Sequence, residues 1–378
     1  MPVLMSEMDP RNQGESTFEV VRESAGRSAT VSVALPSSIL SNAQSPELRM
    51  YLAGQVARCM AIYCVDEVII FKEQGDGQAT GDRQDSRRRN HEHTQLDNTD
   101  FFKLILDYLE TPQYLRKHLF PVSSELRLVG LLNPLALPSH VARNEPCRWR
   151  EGIAVGRGNY PRNQHRKAPS YGNVSMNTNL GPPTKFIDVG LDKLVEIDCT
   201  VPIGDRATVD MEPSGPDYGS CPGKYLFGRL VDHDCPKKTE GTYWGYRTRI
   251  AESLSDVFRD SAVSLTGYDL TLGTSERGTP ISPHSDQSDL CLPEFKHLLI
   301  VFGGVNGLEK SVIGDEGLAS LGISPSLVQN ENHHSVGDLF DFYVNTCPNQ
   351  GSRTIRTEEA LLISLAALQP LLNPQKAQ

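Results

Sequence analysis

The sequence lacks the patterns that mark several common classes of protein. No apolar run approaches the roughly twenty residues that cross a bilayer, and the stretch from Met1 to Ser16 has neither the charged nor the apolar region of a secretion signal. The eight cysteines include no C-x-x-C pair, which argues against a zinc site or a disulfide framework. Walker A and H-E-x-x-H motifs are also absent. We therefore expect an intracellular protein with reduced thiols, no metal and no membrane partner.

The 378-residue chain is acidic overall, but positive charge is concentrated in one stretch. A formal charge of −10 argues against a general nucleic-acid coat, because phosphate binding relies on Lys and Arg. Residues 143–167 nevertheless hold seven basic and two acidic side chains, interleaved with aromatic rings. This composition suits single-stranded RNA, and the alternative is a solvated loop. The candidate RNA-binding residues are Arg143, Arg148, Trp149, Arg150, Arg157, Arg162, Arg166 and Lys167.

The most informative stretch is NTCPNQGSRTIRTEE, which begins at Asn345. It joins a predicted strand of aromatic and β-branched residues to a predicted apolar helix. Pro348 restricts the backbone and Gly351 allows it unusual conformations. Such a loop leaves unpaired N–H and C=O groups that a ligand could bind. We expect Thr357 to cap the helix and Pro370 to end it.

Two earlier junctions have the same character. YDLTLGTSERG, from Tyr268, is a predicted strand entering a polar loop bounded by glycines, and HLLIVFGGVNGLE, from His297, is an apolar strand opening into three glycines. Ligands gather at the carboxyl ends of parallel strands, so the three loops predict one shared pocket. A hydrolase is disfavoured because Ser275 does not fit the G-x-S-x-G spacing. A nicotinamide site is disfavoured because G-x-G-x-x-G is absent.

The rest of the chain has the organisation of an interrupted domain. A strand, helix and strand open it over residues 30–71. Residues 74–100 are predicted to be a flexible loop, because they hold almost no apolar side chains. Residues 126–132 have the pattern of a further strand. Five short β segments then follow between 152 and 231, a number that suits a small barrel.

Four motifs resemble one known family. They are YDLTLGTSERG from Tyr268, FGGVNGLE from Phe302, NTCPNQGSRTIRTEEALLISLAAL from Asn345, and WGYRTRIAESLSDVF from Trp244. Together they resemble the SPOUT class of RNA methyltransferases, and within it the family with an inserted OB-like barrel. The resemblance covers roughly residues 30 to 370.

The resemblance implies an α/β fold. It comprises a SPOUT trefoil-knot methyltransferase domain with a mostly parallel sheet, interrupted by the small barrel. The implied organisation is a disordered tail over 1–28, a discontinuous methyltransferase domain over 29–141 and 239–372, and an inserted RNA-binding barrel over 142–238.

The resemblance also implies an enzyme that uses S-adenosylmethionine, releases S-adenosylhomocysteine and works as a homodimer. The implied cofactor contacts are Arg277, Gly304, Gly307, Asn345, Thr346, Gln350, Gly351, Thr354, Ile355 and Arg356. Arg277 and Arg249 are the candidate catalytic residues, because a cation would favour a deprotonated base if uridine N3 is the acceptor. A structural ion pair of Arg277 with Glu276 or Glu309 is the alternative.

We expect the substrate to be a large structured RNA such as rRNA, and the location to be the nucleus or nucleolus, with the cytoplasm as a further site. The competing hypothesis is a non-catalytic RNA-binding or scaffold protein. Such a protein would act in an RNA–protein assembly or the mitotic apparatus while keeping the methyltransferase fold.

Overall fold

The computed structural model describes residues 26–73, 96–156, 182–212, 223–281, 291–313, 315–321 and 336–372. Within these ranges the chain forms a six-stranded sheet covered by helices and a closed five-stranded barrel. Strands and helices are numbered here in chain order. The strands of the sheet are β1 (Thr30–Pro36), β2 (Glu67–Phe71), β8 (Arg247–Ala251), β9 (Leu270–Pro280), β10 (His297–Phe302) and β11 (Phe342–Asn345).

The barrel strands all come from the middle of the chain, between β2 and β8 of the sheet. They are β3 (Trp149–Val155), β4 (Thr184–Asp188), β5 (Val195–Val201), β6 (Arg206–Asp210) and β7 (Leu226–Val231). The helices are α1 (Pro46–Ile62), α2 (Asn98–Glu110), α3 (Gln113–Leu119), α4 (Cys235–Glu240), α5 (Leu254–Arg259), α6 (Gly307–Val312), α7 (Gly317–Ser320) and α8 (Thr357–Leu372). Short 3-10 helices span Ser37–Asn42, Val129–Leu131 and Gly337–Leu339.

The sheet has the strand order β11-β9-β10-β1-β2-β8, and every neighbouring pair is parallel. This confirms the predicted parallel α/β domain. Side chains of one strand alternate between two cores: Val33 of β1 contributes to the core beneath α1, α2 and α8, whereas Ala34 contributes to the core beneath α5, α6 and α7. Because both faces are covered, β10 can be an unbroken apolar run.

The barrel closes in the order β3-β4-β5-β7-β6, with β6 returning to β3. The β5–β7 pair is parallel and the other pairs are antiparallel. Two glycines leave space for apolar side chains of the neighbouring strands. A Cβ at Gly228 would lie 2.5 Å from a methyl of Val209, and one at Gly152 would lie 2.9 Å from a methyl of Val189. The strand number agrees with the predicted OB-like barrel.

A buried ionic network joins the barrel to the sheet domain. The Arg206 guanidinium of β6 contacts Glu110 of α2 at 2.6 Å and Glu151 of β3 at 2.6 Å, and the two carboxylates are almost fully buried. Trp244 also donates its indole N–H to Glu151, at 2.7 Å. Gly245 has φ +124°, and a Cβ there would come within 2.5 Å of Glu110 Oε1. The start of the WGYRTRI motif therefore builds this junction.

The network keeps its buried carboxylate charged. Burial raises the pKa of Glu151, but Arg206, His233 and hydrogen bonds from Thr208 and Trp244 outweigh it, so the pKa falls below its ordinary value. Burial by itself would lower the pKa of Arg206. The two carboxylates raise the pKa by more than burial lowers it, so the net shift is upward. Folding therefore favours the ionised triad, and its contribution is lost when acid protonates Glu151.

Three predicted boundaries are wrong at their ends. The tail expected to be disordered over 1–28 includes Arg27, whose guanidinium is 2.7 Å from Asp66; residues 1–25 lie outside the described ranges. The loop expected over 74–100 ends earlier, because the Asp97 side chain accepts from the Asp100 N–H at 2.7 Å and caps α2. Residues 74–95 are likewise outside the described ranges. Finally, Pro370 does not end α8, which continues to Leu372.

The strand expected over residues 126–132 is absent from the structure. The segment turns instead, with Val129 N–H donating to Leu126 O at 3.2 Å and Leu131 N–H donating to Leu128 O at 3.0 Å. Successive i to i+3 hydrogen bonds of this kind define the 3-10 helix found there. An apolar run without strict alternation is thus compatible with a helical turn.

Among the described residues, no group of three or more His, Cys, Asp or Glu side chains could hold a metal ion. None of the helices in the described ranges combines the length and apolar character needed to cross a membrane.

We predict that Arg206→Ala lowers the free energy of unfolding by about 3–5 kcal/mol, because it leaves two buried carboxylates without their cation. Chemical denaturation measures this loss. Arg259→Ala is the matched control. It removes an Arg side chain that is 42% exposed and pairs with Asp256, itself 31% exposed, at 3.0 Å, so it should cost less than about 1 kcal/mol. Equal losses in the two variants would contradict the role assigned to Arg206.

Candidate functional site

The polar loop that follows the start of β9 is a large bulge in the sheet. Tyr343 of β11 pairs with Gly273, whereas the next residue, Val344, pairs with Thr279. Five residues of β9, Thr274–Gly278, therefore lie between two consecutive pairs. A bulge redirects side chains at a sheet edge, and this one projects Ser275, Glu276 and Arg277 away from the ladder. The predicted loop is correct in position, although β9 continues beyond it.

Glycines close both ends of this bulge. A Cβ at Gly273 would lie 2.5 Å from the ring of Phe340, and a Cβ at Gly278 would lie 2.7 Å from the backbone of Val344. No side chain fits at either position without displacing its neighbour. The two glycines that bound the motif are thus explained by packing between β9 and the segment leading into β11.

The second loop follows β10 and contains Gly303, Gly304 and Gly307. Gly307 N–H donates to Gly304 O at 3.0 Å, which closes the turn. Gly307 has φ +73°, a conformation that favours glycine, and a Cβ there would fall on the carboxylate of Glu309. The turn therefore depends on glycine for its backbone conformation and for the space that Glu309 occupies.

The third loop runs from Asn345 to Arg356 and is tied to the other two. The Asn345 side chain donates to Glu276 O in the bulge at 2.7 Å, and the Thr357 hydroxyl donates to Gly303 O at 3.1 Å. Asn345 Oδ1 also accepts from Cys347 N–H at 2.9 Å, which fixes the start of the loop. All three loops leave the carboxyl edge of the sheet, and these hydrogen bonds hold them together.

The start of α8 is capped differently from the prediction. Arg356 N–H donates to Glu359 Oε2 at 3.0 Å, which is the return bond of a capping box. Thr357 instead uses its hydroxyl to hold Gly303 O. The prediction that Thr357 caps the helix is wrong, because the residue serves the contact between loops.

Arg277 lies in the bulge and forms an ion pair with α6. Its guanidinium is 2.6 Å from Glu309 Oε1, and the Arg277 side chain is 43% exposed whereas Glu309 is 12% exposed. The ion-pair partner of Arg277 is therefore Glu309 and not Glu276. The backbone carbonyl of Glu276 accepts a hydrogen bond from the Asn345 side chain. The more buried carboxylate thus orients a guanidinium that still reaches solvent.

Arg249 lies elsewhere. Its guanidinium donates to Glu67 Oε1 at 2.8 Å, to Val257 O at 2.8 Å and to the Tyr268 hydroxyl at 3.3 Å. Glu67 is the first residue of β2 and Tyr268 precedes β9, so this cluster sits at the amino edge of the sheet. The structure does not bring Arg249 to the three loops within one chain, and the residue buttresses the sheet instead.

Tyr343 is a site residue that the sequence reasoning missed. It lies in β11 opposite the start of the bulge and stacks on Phe340 with 6.1 Å between ring centroids. Burial raises the pKa of its phenol, while Ser275 opposes that shift. The phenol is therefore protonated at neutral pH, and its buried oxygen has no hydrogen-bond partner among the described residues.

The structure changes the list of RNA-binding candidates. Trp149 is 3% exposed and Arg150 is fully buried, and Arg150 donates to Ala142 O at 2.9 Å and to Glu145 O at 2.7 Å. Neither side chain can meet RNA at the surface, so both predictions are corrected. Every residue of β3 is buried, because its outer side packs against the sheet domain.

The other described candidates are exposed but paired. Arg148 lies 4.4 Å above the Trp149 ring and contacts Asp210, and Arg143 pairs with Asp192. The remaining candidates lie outside the described residues: they are Arg157, Arg162, Arg166 and Lys167.

The third loop has free backbone groups for a ligand. In the described part of the chain, the N–H groups of Gly351, Thr354 and Ile355 have no protein acceptor. A Cβ at Gly351 would meet no atom within 4 Å. Gln350, by contrast, folds its side chain back to Ser352 O at 3.1 Å. The loop can therefore bind a nucleoside-like ligand mainly through its backbone.

A parallel α/β domain with three joined loops at its carboxyl edge, interrupted by a five-stranded barrel, agrees with the fold of SPOUT-class methyltransferases that carry an inserted barrel. Residues 30–368 match the family described as "Putative RNA methyltransferase", and the chain belongs to this family.

Named relatives agree with this assignment. The chain is 45% identical to the human "28S rRNA (uridine-N(3))-methyltransferase" over 92% of its length and 80% of the relative. It is 43% identical to the Mus musculus protein of that name, over 92% of the chain and 78% of the relative. It is 42% identical to the Drosophila melanogaster protein of that name, over 96% of the chain and 67% of the relative. The protein is accordingly an RNA methyltransferase, and the scaffold hypothesis is not favoured.

We predict that Gly307→Ala destabilises the second loop and lowers the free energy of unfolding by about 1–3 kcal/mol, because alanine is strained at positive φ. Denaturant unfolding gives the value. Gly130→Ala is the control, since a Cβ there meets nothing within 4 Å and its cost should stay within about 0.5 kcal/mol. If Gly307→Ala matched that control, the turn would not depend on glycine.

Proposed function

We propose that this protein transfers a methyl group from S-adenosylmethionine to N3 of a uridine in the RNA of the large ribosomal subunit. The support for the substrate is the shared name of three relatives that align over most of their own length. The observation that carries the donor site is the hydrogen-bonded meeting of the three loops at the carboxyl edge of the sheet.

The residues present fit an adenosyl group. Gly351 leaves open space in front of the third loop, and the unpaired N–H groups of that loop supply donors. Asn345 and Thr346 have their side chains engaged within the protein, with Thr346 Oγ1 2.7 Å from Ser364 Oγ. Their part is to hold the loop in shape, leaving backbone atoms and Arg356 for the ligand.

S-adenosylmethionine supplies a methyl group activated on a sulfonium. The protein must position the uracil ring and manage the proton that N3 loses, which is chiefly a matter of proximity and electrostatics. Arg277 is the cation that the β9 bulge contributes beside the other two loops. Its guanidinium favours the deprotonated base and neutralises charge that develops on the uracil oxygens. Glu309 keeps that guanidinium in place at 2.6 Å.

The proposal includes the surroundings of the reaction. The barrel binds the RNA through Arg143 and Arg148, the exposed basic residues in the described part of the 143–167 stretch, and the enzyme works as a homodimer in the nucleus or nucleolus. Exposed apolar side chains on two helices that pack against each other support the dimer: Leu48 and Tyr51 of α1 are each 52% exposed, and Leu362 of α8 is 46% exposed.

Calorimetry on the full chain tests the donor site. We predict that S-adenosylmethionine binds the wild type, and that Gly351→Val weakens binding at least about tenfold by filling the space in front of the third loop. The substitution should not disturb folding, because a Cβ at Gly351 meets no atom within 4 Å. Gly130→Ala, in the 3-10 helix Val129–Leu131 and outside the loops, should bind like the wild type. Unchanged affinity in Gly351→Val would remove this loop from the site.

Mass-spectrometric analysis of nucleosides from rRNA, with and without the protein, tests the reaction itself. We predict that 3-methyluridine is lost in its absence and is restored by the wild type. Arg277→Gln should lower kcat by about a hundredfold while donor affinity changes little. Arg259→Gln is the control, because it removes an exposed guanidinium that pairs with Asp256 at 3.0 Å on α5. Full activity of Arg277→Gln would exclude the role given to Arg277.

A further inference from the structure

Glu73 is a buried carboxylate at the carboxyl edge of the sheet that the reaction described above does not use. It lies two residues after β2 and is 5% exposed. Its carboxylate accepts from the Ser311 hydroxyl at 2.7 Å and from the Ser38 hydroxyl on its other oxygen. Ser38 belongs to the 3-10 helix after β1, and Ser311 belongs to α6, which follows β10.

These contacts cross three neighbouring strands. The order β10-β1-β2 is part of the sheet, so Glu73 reaches from the end of β2, past the end of β1, to the helix that follows β10. The side chain is therefore a tie between segments that are distant in sequence. A separation of 238 residues between Glu73 and Ser311 means that no local structure holds them together.

The tie lies directly beneath the second loop. A Cβ at Gly304 would be 3.2 Å from Glu73 Oε2, 3.0 Å from Ser38 Oγ and 3.3 Å from Pro36. The Cα of Gly304 thus rests on the Glu73–Ser38 pair. Ser311 is anchored to the same carboxylate in the helix that the loop enters. One side chain, Glu73, therefore contacts the second loop at Gly304 and also holds the helix α6 that follows this loop.

We propose that Glu73 is a positioning residue for the donor site. Glu73 fixes the position of the Gly304 backbone and thereby the affinity for S-adenosylmethionine. This inference rests on the proposed function. Burying a carboxylate is costly, and an apolar side chain of similar volume is often at least as stabilising. A buried carboxylate that accepts two hydrogen bonds from hydroxyls serves to fix geometry, because the directional hydrogen bonds determine where each donor lies.

Two substitutions at Glu73 distinguish a role in positioning the second loop from a role in the methyl transfer itself. Glu73→Gln keeps the shape, accepting from one hydroxyl and donating to the other, so its Kd for S-adenosylmethionine should stay within about threefold of the wild type. Glu73→Ala removes both ties, and its Kd should rise at least about tenfold. Because the defect is in positioning, a saturating donor concentration should restore most of kcat, leaving the change in KM.

Ser311→Ala provides a milder variant should Glu73→Ala not fold. It removes one tie and should weaken donor binding about threefold, with little further loss when combined with Glu73→Ala. Glu252→Ala is the matched control. Glu252 follows β8 at the same edge, is 70% exposed and pairs with Lys72 at 2.8 Å, and its removal should leave the Kd unchanged.

The outcomes distinguish this inference from the proposed function. If the wild type does not bind S-adenosylmethionine, the donor site itself is wrong. If the wild type binds and both Glu73→Ala and Ser311→Ala bind equally well, Glu73 has no positioning role. A Glu73→Gln variant with normal Kd and abolished kcat would also overturn the inference, because it would assign Glu73 a part in the chemistry.

Discussion

The pairing of β9 with its two neighbours is the constraint on which the site depends. On one side β9 keeps an unbroken parallel register with β10, from Leu270 to Thr274. On the other side its register with β11 skips five residues between Gly273 and Thr279. The extra chain can only leave the sheet, and it leaves where the loops after β10 and β11 begin. Arg277 and the Glu276 carbonyl meet Glu309 and Asn345 as a consequence.

The barrel is attached to this domain by charge as well as by apolar packing. Arg206 sits between the carboxylates of Glu110 and Glu151, one from each unit, and Trp244 completes the contact with Glu151. An ion pair held in this way fixes orientation more than it adds stability. A fixed barrel matters if RNA held on it must present one base to the edge of the sheet.

Much of the fold could be predicted from local sequence patterns, because the burial of a strand or the tightness of a turn determines which residue types occur there. The apolar run of β10 indicated a strand covered on both faces, and the paired glycines of β9 marked the two ends of the bulge. Contacts between distant residues left no such signal. Arg249 and Glu67 are separated by 182 residues, so the motif around Arg249 did not indicate the ion pair that holds its side chain away from the three loops of the same chain.

Composition also says nothing about the direction of a side chain. The basic and aromatic residues of 143–167 suggested one RNA surface, yet Trp149 and Arg150 are buried on opposite faces of their strand. Glu73 was missed for the converse reason, since a single acid at the end of a strand has no pattern. Its meaning comes only from Ser38, Ser311 and Gly304, which the sheet brings together around it.

The most direct test is a crystal structure of the protein with S-adenosylhomocysteine. The account predicts density for the adenosyl group against the Gly303–Gly307 turn and the 346–356 loop, with Arg277 at the open side. Density at another place on the molecule, or the three loops closed on each other with the ligand excluded, would contradict it.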